Sequence, residues 1–282
     1  MLVYLNGKFT DHTEAMVSVA DRGFLFGDGI YEVTRVINGR LFREKEHMQR
    51  LGEGLAGLKI NLDSSEKEKI SSVSRELLKK NNHDNGEAAV YLQVTRGAAW
   101  PRTHSFPNPP VEPTVYVSTS LFKPHTDLHQ TGVDAITLPD IRWTRCNLKT
   151  VNLLPNTLAK QMAEDAGVNS ALLVRDGVIT ESPNANIFGV KNDALYTFPA
   201  SNYILSGITR LTVIEIAEKL GIPVHYTPVR AEELFELDEL FFSGTTTDIQ
   251  PVIIVDGKKI SNGKPGPVVK MIQEEYGKLL YG

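Results

Sequence analysis

The stretch Arg142-Trp143-Thr144-Arg145-Cys146-Asn147-Leu148-Lys149-Thr150-Val151-Asn152-Leu153-Leu154 sets one lysine, Lys149, among apolar residues. Leu148 and Val151 flank it, and the pair Leu153-Leu154 follows. An ammonium group enclosed by apolar side chains is disfavoured, so its pKa falls towards neutrality. The resulting neutral amine is a nucleophile that forms an imine with an aldehyde. Taken alone, the same stretch also reads as a lysine whose stem lies over leucines while its head stays in water.

Outward from this segment, the whole chain sets limits. Its 282 residues have room for two compact domains. With 41% hydrophobic and 23% charged residues it has the composition of a folded globular protein. A net charge of −4 offers no basic footprint for nucleic acid. The one cysteine, Cys146, excludes an internal disulfide and a cysteine-built metal site, and fits a reducing cytoplasm. No run reaches the roughly 18 apolar residues of a membrane span, and Met1 to Gly7 lack the basic leader of an export signal. The seven histidines are scattered, with no pair at ligand spacing, so no metal is expected.

Strand and helix signals alternate along the chain. Val3-Tyr4-Leu5 and Lys8-Phe9 predict a hairpin about Asn6-Gly7, and Ile30 to Ile37 with Arg40 to Phe42 a second about Asn38-Gly39. Glu44 to Leu58 and Ser64 to Lys80 carry apolar residues at helical spacing. Strands are expected over Ala89 to Thr95 and Thr114 to Thr119, with a proline-rich loop from Trp100 to Pro113. The polar, proline-broken stretch 121–126 reads as a linker between domains at 1–120 and 127–282. Beyond it, helices are expected over Asn156 to Ala166, Ile208 to Leu220 and Val268 to Leu280, the first two stopped by Gly167 and Gly221. Strands fall between them at Val133 to Leu138, Ser170 to Val174, Ile187 to Val190, Ala194 to Phe198, Val224 to Thr227, Glu239 to Ser243 and Pro251 to Val255. This mixture predicts two α/β or α+β domains with a ligand cleft between them.

Four segments carry chemistry. Leu205-Ser206-Gly207-Ile208-Thr209-Arg210 opens a helix, where Ser206 or Thr209 can cap and orphan amides favour an anion; an ordinary helix start is the other reading. Ser243-Gly244-Thr245-Thr246-Thr247 makes an anion cradle or an exposed turn. Glu181 follows Val178-Ile179 and precedes Asn184 and Asn186, which suggests a buried polar network around one carboxylate. Arg102 and His104 lie on the proline-stiffened loop, where an arginine fork pairs with a carboxylate and a histidine adds a donor. Asp21-Arg22-Gly23 to Gly27-Asp28-Gly29 has three glycines, but their spacing is not that of a dinucleotide fingerprint.

Together, Asp21-Arg22-Gly23, Gly27-Asp28-Gly29-Ile30-Tyr31-Glu32-Val33, His47-Met48-Gln49-Arg50-Leu51, Asn147-Leu148-Lys149, Thr180-Glu181, Asn186-Ile187-Phe188-Gly189 and Gly207-Ile208-Thr209-Arg210 resemble the fold-type IV pyridoxal-phosphate enzymes. The likeness runs from near residue 1 to the last helix. Within that family it is nearest to the D-amino acid aminotransferases, through Pro101-Arg102-Thr103-His104 and the stretch from Asp140 to Leu154. Branched-chain aminotransferases and aminodeoxychorismate lyases share the fold. The resemblance implies that Lys149 carries pyridoxal 5'-phosphate and that Glu181 holds its ring nitrogen. It further implies that Arg50, Ile208, Thr209 and Thr245 hold the phosphate, and that Leu205 packs on the ring. Tyr31, Arg102 and His104 would trap the substrate carboxylate, with Val33 and Arg35 on the same pocket strand. It also implies a homodimer in which Arg102 and His104 reach the neighbouring active site. The chain departs from the pattern at Pro183-Asn184-Ala185, Pro155, Arg35 and Gly244.

Overall fold

The first element is a hairpin of β1 (Leu2–Leu5) and β2 (Lys8–Asp11), closed by Asn6 and Gly7, both at positive φ. That backbone suits asparagine and glycine, and its twist matches paired strands. After it come α1 (Arg22–Phe26), β3 (Gly29–Ile37), β4 (Arg40–Leu41), α2 (Glu44–Leu58), α3 (Ser64–Lys80), β5 (Glu87–Thr95) and β6 (Thr114–Leu121). The strands form an antiparallel sheet of order β2-β1-β6-β5-β3-β4. One face carries Ile30, Val36, Val90, Leu92, Val94, Val115 and Val117, and the helices meet it with Leu51, Leu55, Ile70, Val73 and Leu77. Burying each such aliphatic side chain contributes about 1.5–3 kcal/mol. Asp63 caps α3 by accepting from the Ser65 N–H at 2.8 Å.

This computed structural model describes all 282 residues and resolves into two compact units. The first is Met1–Lys123 with Leu148–Leu153, and the second is Pro124–Asn147 with Leu154–Gly282. The expected boundaries, by contrast, left residues 148–153 within the C-terminal half. The difference has a backbone cause. On its outer edge β3 is paired by β4 only at Val36 and Ile37, so its first residues present unpaired polar groups. The 148–153 segment satisfies them: Tyr31 N–H donates to Lys149 O and Val151 N–H to Gly29 O, both at 3.0 Å, and Thr150 bridges Ile30. Leu148 joins the apolar core beside Gly57.

The second unit contains α4 (Thr126–Thr131), β7 (Val133–Pro139), α5 (Leu154–Asp165), β8 (Ser170–Arg175), β9 (Val178–Ile179), β10 (Asn186–Lys191) and β11 (Ala194–Tyr196). It continues with α6 (Ile208–Leu220), β12 (Val224–His225), a 3-10 turn (Ala231–Glu236), β13 (Glu239–Gly244), β14 (Asp248–Val255), β15 (Lys258–Lys259) and α7 (Pro267–Tyr281). Its nine strands run β12-β11-β10-β13-β14-β7-β8-β9, with β15 against β14. Three neighbouring pairs are parallel, β11–β12, β14–β7 and β7–β8, and the rest are antiparallel. Phe188 and Phe241 face each other across β10 and β13 with their rings stacked at 5.1 Å. Helix α6 is buried at Ile208, Thr209, Arg210, Thr212, Val213 and Ile216, and Gly221 ends it at φ 72.

Both units mix strands with helices, so the α+β architecture agrees with the sequence. Helices α2, α3 and α6 keep their expected bounds. Within the expected linker residues 122–125 are irregular and the two units part between Lys123 and Pro124; β6 ends at Leu121 and α4, a helix too short to show a period, begins at Thr126.

Gly97 holds the loop start. It has φ +94, and a Cβ there would lie 2.0 Å from the Glu112 carbonyl oxygen. Its N–H donates to Thr95 Oγ1, and its carbonyl accepts from the Arg22 N–H. Gly97→Ala is therefore expected to destabilise the protein by about 2 kcal/mol or more, read as a lowered urea midpoint.

Candidate active site

Side chains along β3 alternate between faces. Tyr31, Val33 and Arg35 point one way, opposite Gln93, Tyr91 and Ala89 of β5. The docked 148–153 segment places Lys149 Nζ 4.2 Å from the Tyr31 ring centroid. Tyr31 stacks on Tyr91 at 5.8 Å, and burial pushes the Tyr91 hydroxyl up to about 12. Lys149 is thus half-buried against an aromatic ring rather than walled by leucines. Of the expected wall, only Leu148 is buried, and Leu154 is 67% exposed. Tyr31 and Val33 stay half-buried and available. Arg35 does not: it is 1% exposed, paired with Glu87 and stacked 3.6 Å over Phe122. Its guanidinium therefore braces the sheet instead of facing a ligand.

The other face of β3 carries Glu32, 2% exposed. Helix α2 brings it two partners one turn apart. Arg50 Nε and Nη2 donate to the two carboxylate oxygens at 2.7 and 2.8 Å, and His47 Nδ1 lies 2.8 Å from Oε2. Burial pushes the Glu32 carboxyl up, but the bonds to Arg50 and His47 outweigh it and hold it at about 2. Burial pushes the His47 imidazole down. Arg50, expected to meet a phosphate, is thus held in place by a buried carboxylate.

Arg102 and His104 are exposed, and both flank Phe26: the guanidinium lies 4.4 Å from its ring and the imidazole 5.7 Å. Arg22 fixes their loop from below. This buried arginine donates to the carbonyls of Thr103 at 2.7 Å and of His104 and Ser105 at 3.3 Å, and pairs with Asp28 at 2.9 Å. Asp28 also binds Arg96, whose guanidinium lies 3.6 Å over Phe106.

In the second unit Asn186 is the hub. It opens β10 opposite Ser243 on β13, so the Ser243-Gly244-Thr245 turn begins beside it. Its Nδ2 donates to Glu181 Oε2 at 2.9 Å and to the Leu205 carbonyl at 2.7 Å. The Leu205 N–H returns to Glu181 Oε2 at 3.1 Å. Asn186 Oδ1 comes so near Gly207 that a Cβ there would lie 2.2 Å away. Gly207, not Ser206 or Thr209, is the N-cap of α6. Glu181, Leu205, Ile208, Thr209 and Thr245 are thus gathered from three separated segments. Arg142 donates from Nη1 to Glu181 Oε1 and from Nε and Nη2 to Asp140 at 2.9 and 2.8 Å. Burial pushes the Glu181 carboxyl up to about 7 even against this guanidinium. Burial also pushes the Cys146 thiol up to about 11, which leaves it unreactive.

Sequence reasoning gave no role to Glu32, His47, Arg22 or Arg142. Glu32 did carry a signal, a charge on the buried register between Ile30 and Thr34. Arg142 offered only its neighbour Asp140, two residues before it; Glu181, Thr180 and Tyr203 reach it from distant segments.

A carboxyl held below its ordinary value stabilises the fold above that value, and the gain is lost as pH falls through the lowered one. For Glu32 the window runs from 4.5 down to about 2. The wild-type protein is expected to lose about 3 kcal/mol there through this group. Glu32→Gln should flatten that limb in denaturation curves taken between pH 5 and pH 2, whereas an unchanged limb would show that Glu32 does not govern it.

Comparison with known proteins gives the family. Residues 29–255 match the family model for amino-transferase class IV. A D-alanine aminotransferase of Staphylococcus haemolyticus is 42% identical over 279 residues, 99% of this chain and 97% of that protein. The fold is similar to Escherichia coli branched-chain amino acid aminotransferase, with a TM-score of 0.90 at 27% identity, covering 100% of this chain and 95% of that one. It is also similar to the branched-chain amino acid aminotransferase of Thermoproteus uzoniensis with norvaline, with a TM-score of 0.87 at 28% identity, over 99% and 95%. Carrying the family's match across most of its length, the chain belongs to the class IV aminotransferases.

Proposed function

We propose that this aminotransferase uses pyridoxal 5'-phosphate to move an amino group from a D-amino acid, such as D-alanine or D-glutamate, to 2-oxoglutarate or pyruvate in a ping-pong cycle. The observation that carries the reading is the cluster about Asn186, because it suits this cofactor at both ends. Helix α6 starts at the half-buried turn of Leu205, Ser206 and Gly207, with a glycine as its N-cap and no acid in its first turn, which suits a phosphate against its first amides. Ser243 Oγ is buried without a hydrogen-bond partner beside Gly244-Thr245. Glu181 spends three acceptor sites on Arg142, Asn186 and Leu205, and a carboxylate has about four, which leaves one for a ring N–H.

Bound there, the cofactor supplies an aldehyde to capture the amino group and a ring to withdraw electrons from Cα. Lys149 would be the amine that holds the cofactor's aldehyde, and its freed Nζ would take the substrate's Cα proton as general base and return it as general acid. Glu181 accepts from the ring nitrogen and keeps its proton there. Ile208, Thr209, Thr245 and Arg50 hold the phosphate, and Leu205 packs on the ring. Arg102 grips the substrate carboxylate with its fork, helped by His104 and the Tyr31 hydroxyl, while Val33 limits the side chain. Arg35 acts as a strut.

The working form is a homodimer in which the Arg102–His104 loop serves the neighbouring subunit's site. Support comes from the exposed apolar side chains around that loop, Trp100 at 85% and Phe24 at 75%. A reducing cytoplasm suits the one buried free thiol, and no helix is long and apolar enough to cross a membrane. A second reading, an L-branched-chain aminotransferase, draws on the likeness to the branched-chain enzymes.

Offered D-alanine or L-leucine with 2-oxoglutarate, the protein should consume D-alanine; preferential loss of L-leucine selects the second reading. Lys149→Ala should lose turnover and the yellow, borohydride-bleached colour, and retained activity would reject the lysine. Arg102→Ala should raise KM for amino and oxo acid alike by about tenfold or more, the scale of a lost charge-assisted fork.

A further inference from the structure

Glu181 accepts from the cofactor's ring nitrogen in the proposed function, and the role inferred for Arg142 rests on that reading. The carboxylate does not stand alone. Arg142 reaches it through Nη1, and the rest of the same guanidinium is committed to Asp140 through Nε and Nη2. The Asp140 side chain is fully buried, and it also accepts from Thr180 Oγ1 at 2.8 Å and pairs with Arg175 at 3.2 Å. Arg142 further donates to the Tyr203 carbonyl at 3.2 Å. The fork is therefore locked in one orientation by residues at the ends of β7, β8 and β9 and by the 203–205 turn. The other charged or titratable groups near Glu181 are Asp140, Arg210 of α6 and Cys146.

The geometry points to Arg142 as a positioning residue that, anchored by Asp140, keeps Glu181 ionised and so keeps the shared proton on the cofactor's ring nitrogen. The physical reason is distance. A hydrogen between ring nitrogen and carboxylate has two resting places, giving an ion pair or a neutral pair. A guanidinium touching the carboxylate stabilises its negative charge strongly. It penalises the cationic ring less, because the ring lies one hydrogen bond further away and Coulomb energy falls with separation. The ion pair wins. Without Arg142, burial dominates the carboxyl, as its tendency towards 7 already indicates. The proton then moves to Glu181 and the ring loses its pull on electrons.

The test uses holoenzyme loaded with cofactor labelled with nitrogen-15 in the ring. Wild-type protein should give a pyridinium signal across pH 6 to 9. Arg142→Met should give a neutral-pyridine signal in that range, with kcat lower by about 100-fold, the scale of one lost electrostatic contact in a dry site. KM for D-alanine should stay within about threefold, since substrate binding is not touched. Arg142→Lys, which keeps the charge but not the fork, should fall between the two. A pyridinium signal in folded Arg142→Met overturns the proposal. If Arg142→Met does not fold or load, Arg142→Gln, which keeps donors but not the charge, decides, and a pyridinium signal there across the same pH range overturns it equally. Glu181→Gln separates this from the underlying reading: if that change leaves the ring signal unaltered, Glu181 is not the ring partner and both ideas fall.

Discussion

A carboxylate taken out of water has to be surrounded by donors, and this constraint organises the functional side chains of both units. Glu32 is met by Arg50 and His47, Asp28 by Arg22 and Arg96, Asp140 by Arg142 and Arg175, and Glu181 by Arg142 and Asn186. In each case the acid fixes a basic or polar side chain whose position matters to the proposed chemistry. In the proposed function Arg50 is held for the phosphate, and Arg22 holds the loop of Arg102 and His104. Each such pair restricts its side chains to one orientation, and breaking it leaves a buried charge uncompensated.

Backbone requirements shape the site as strongly. The edge of β3 beyond β4 needs hydrogen-bond partners, and the 148–153 segment supplies them while carrying Lys149 to the Tyr31 ring. The N-cap of α6 is a glycine, which has no side chain to accept from the first amides. The need at β3 is met by the protein itself, and in the proposed function the need at α6 is met by the cofactor's phosphate.

Much of the architecture was legible because long periodic segments announce themselves. Helices α2, α3 and α6 follow their apolar spacing, and both Asn-Gly turns close hairpins. One-turn elements were hidden. Helix α1 has five residues, with a glycine inside it, and rests on an Asp21 side-chain cap rather than on any period. Strand β14 begins at Asp248, three residues before its expected start at Pro251, because pairing with β13 extends it where propensity would not. Arg35 looked like a pocket residue by its place on β3, yet Glu87 and Phe122 claim it.

Local periodicity, turn chemistry and the order of short motifs are enough to list the chemically capable residues and the regular elements that carry them. Which of those residues are held, and by what, is a matter of three-dimensional packing. Glu32 with Arg50, Arg142 with Glu181, and Gly207 against Asn186 join positions well separated in the chain, and sheet registers bring them together. Desolvation then settles their charge, and desolvation depends on the packing of the whole unit rather than on neighbours in sequence.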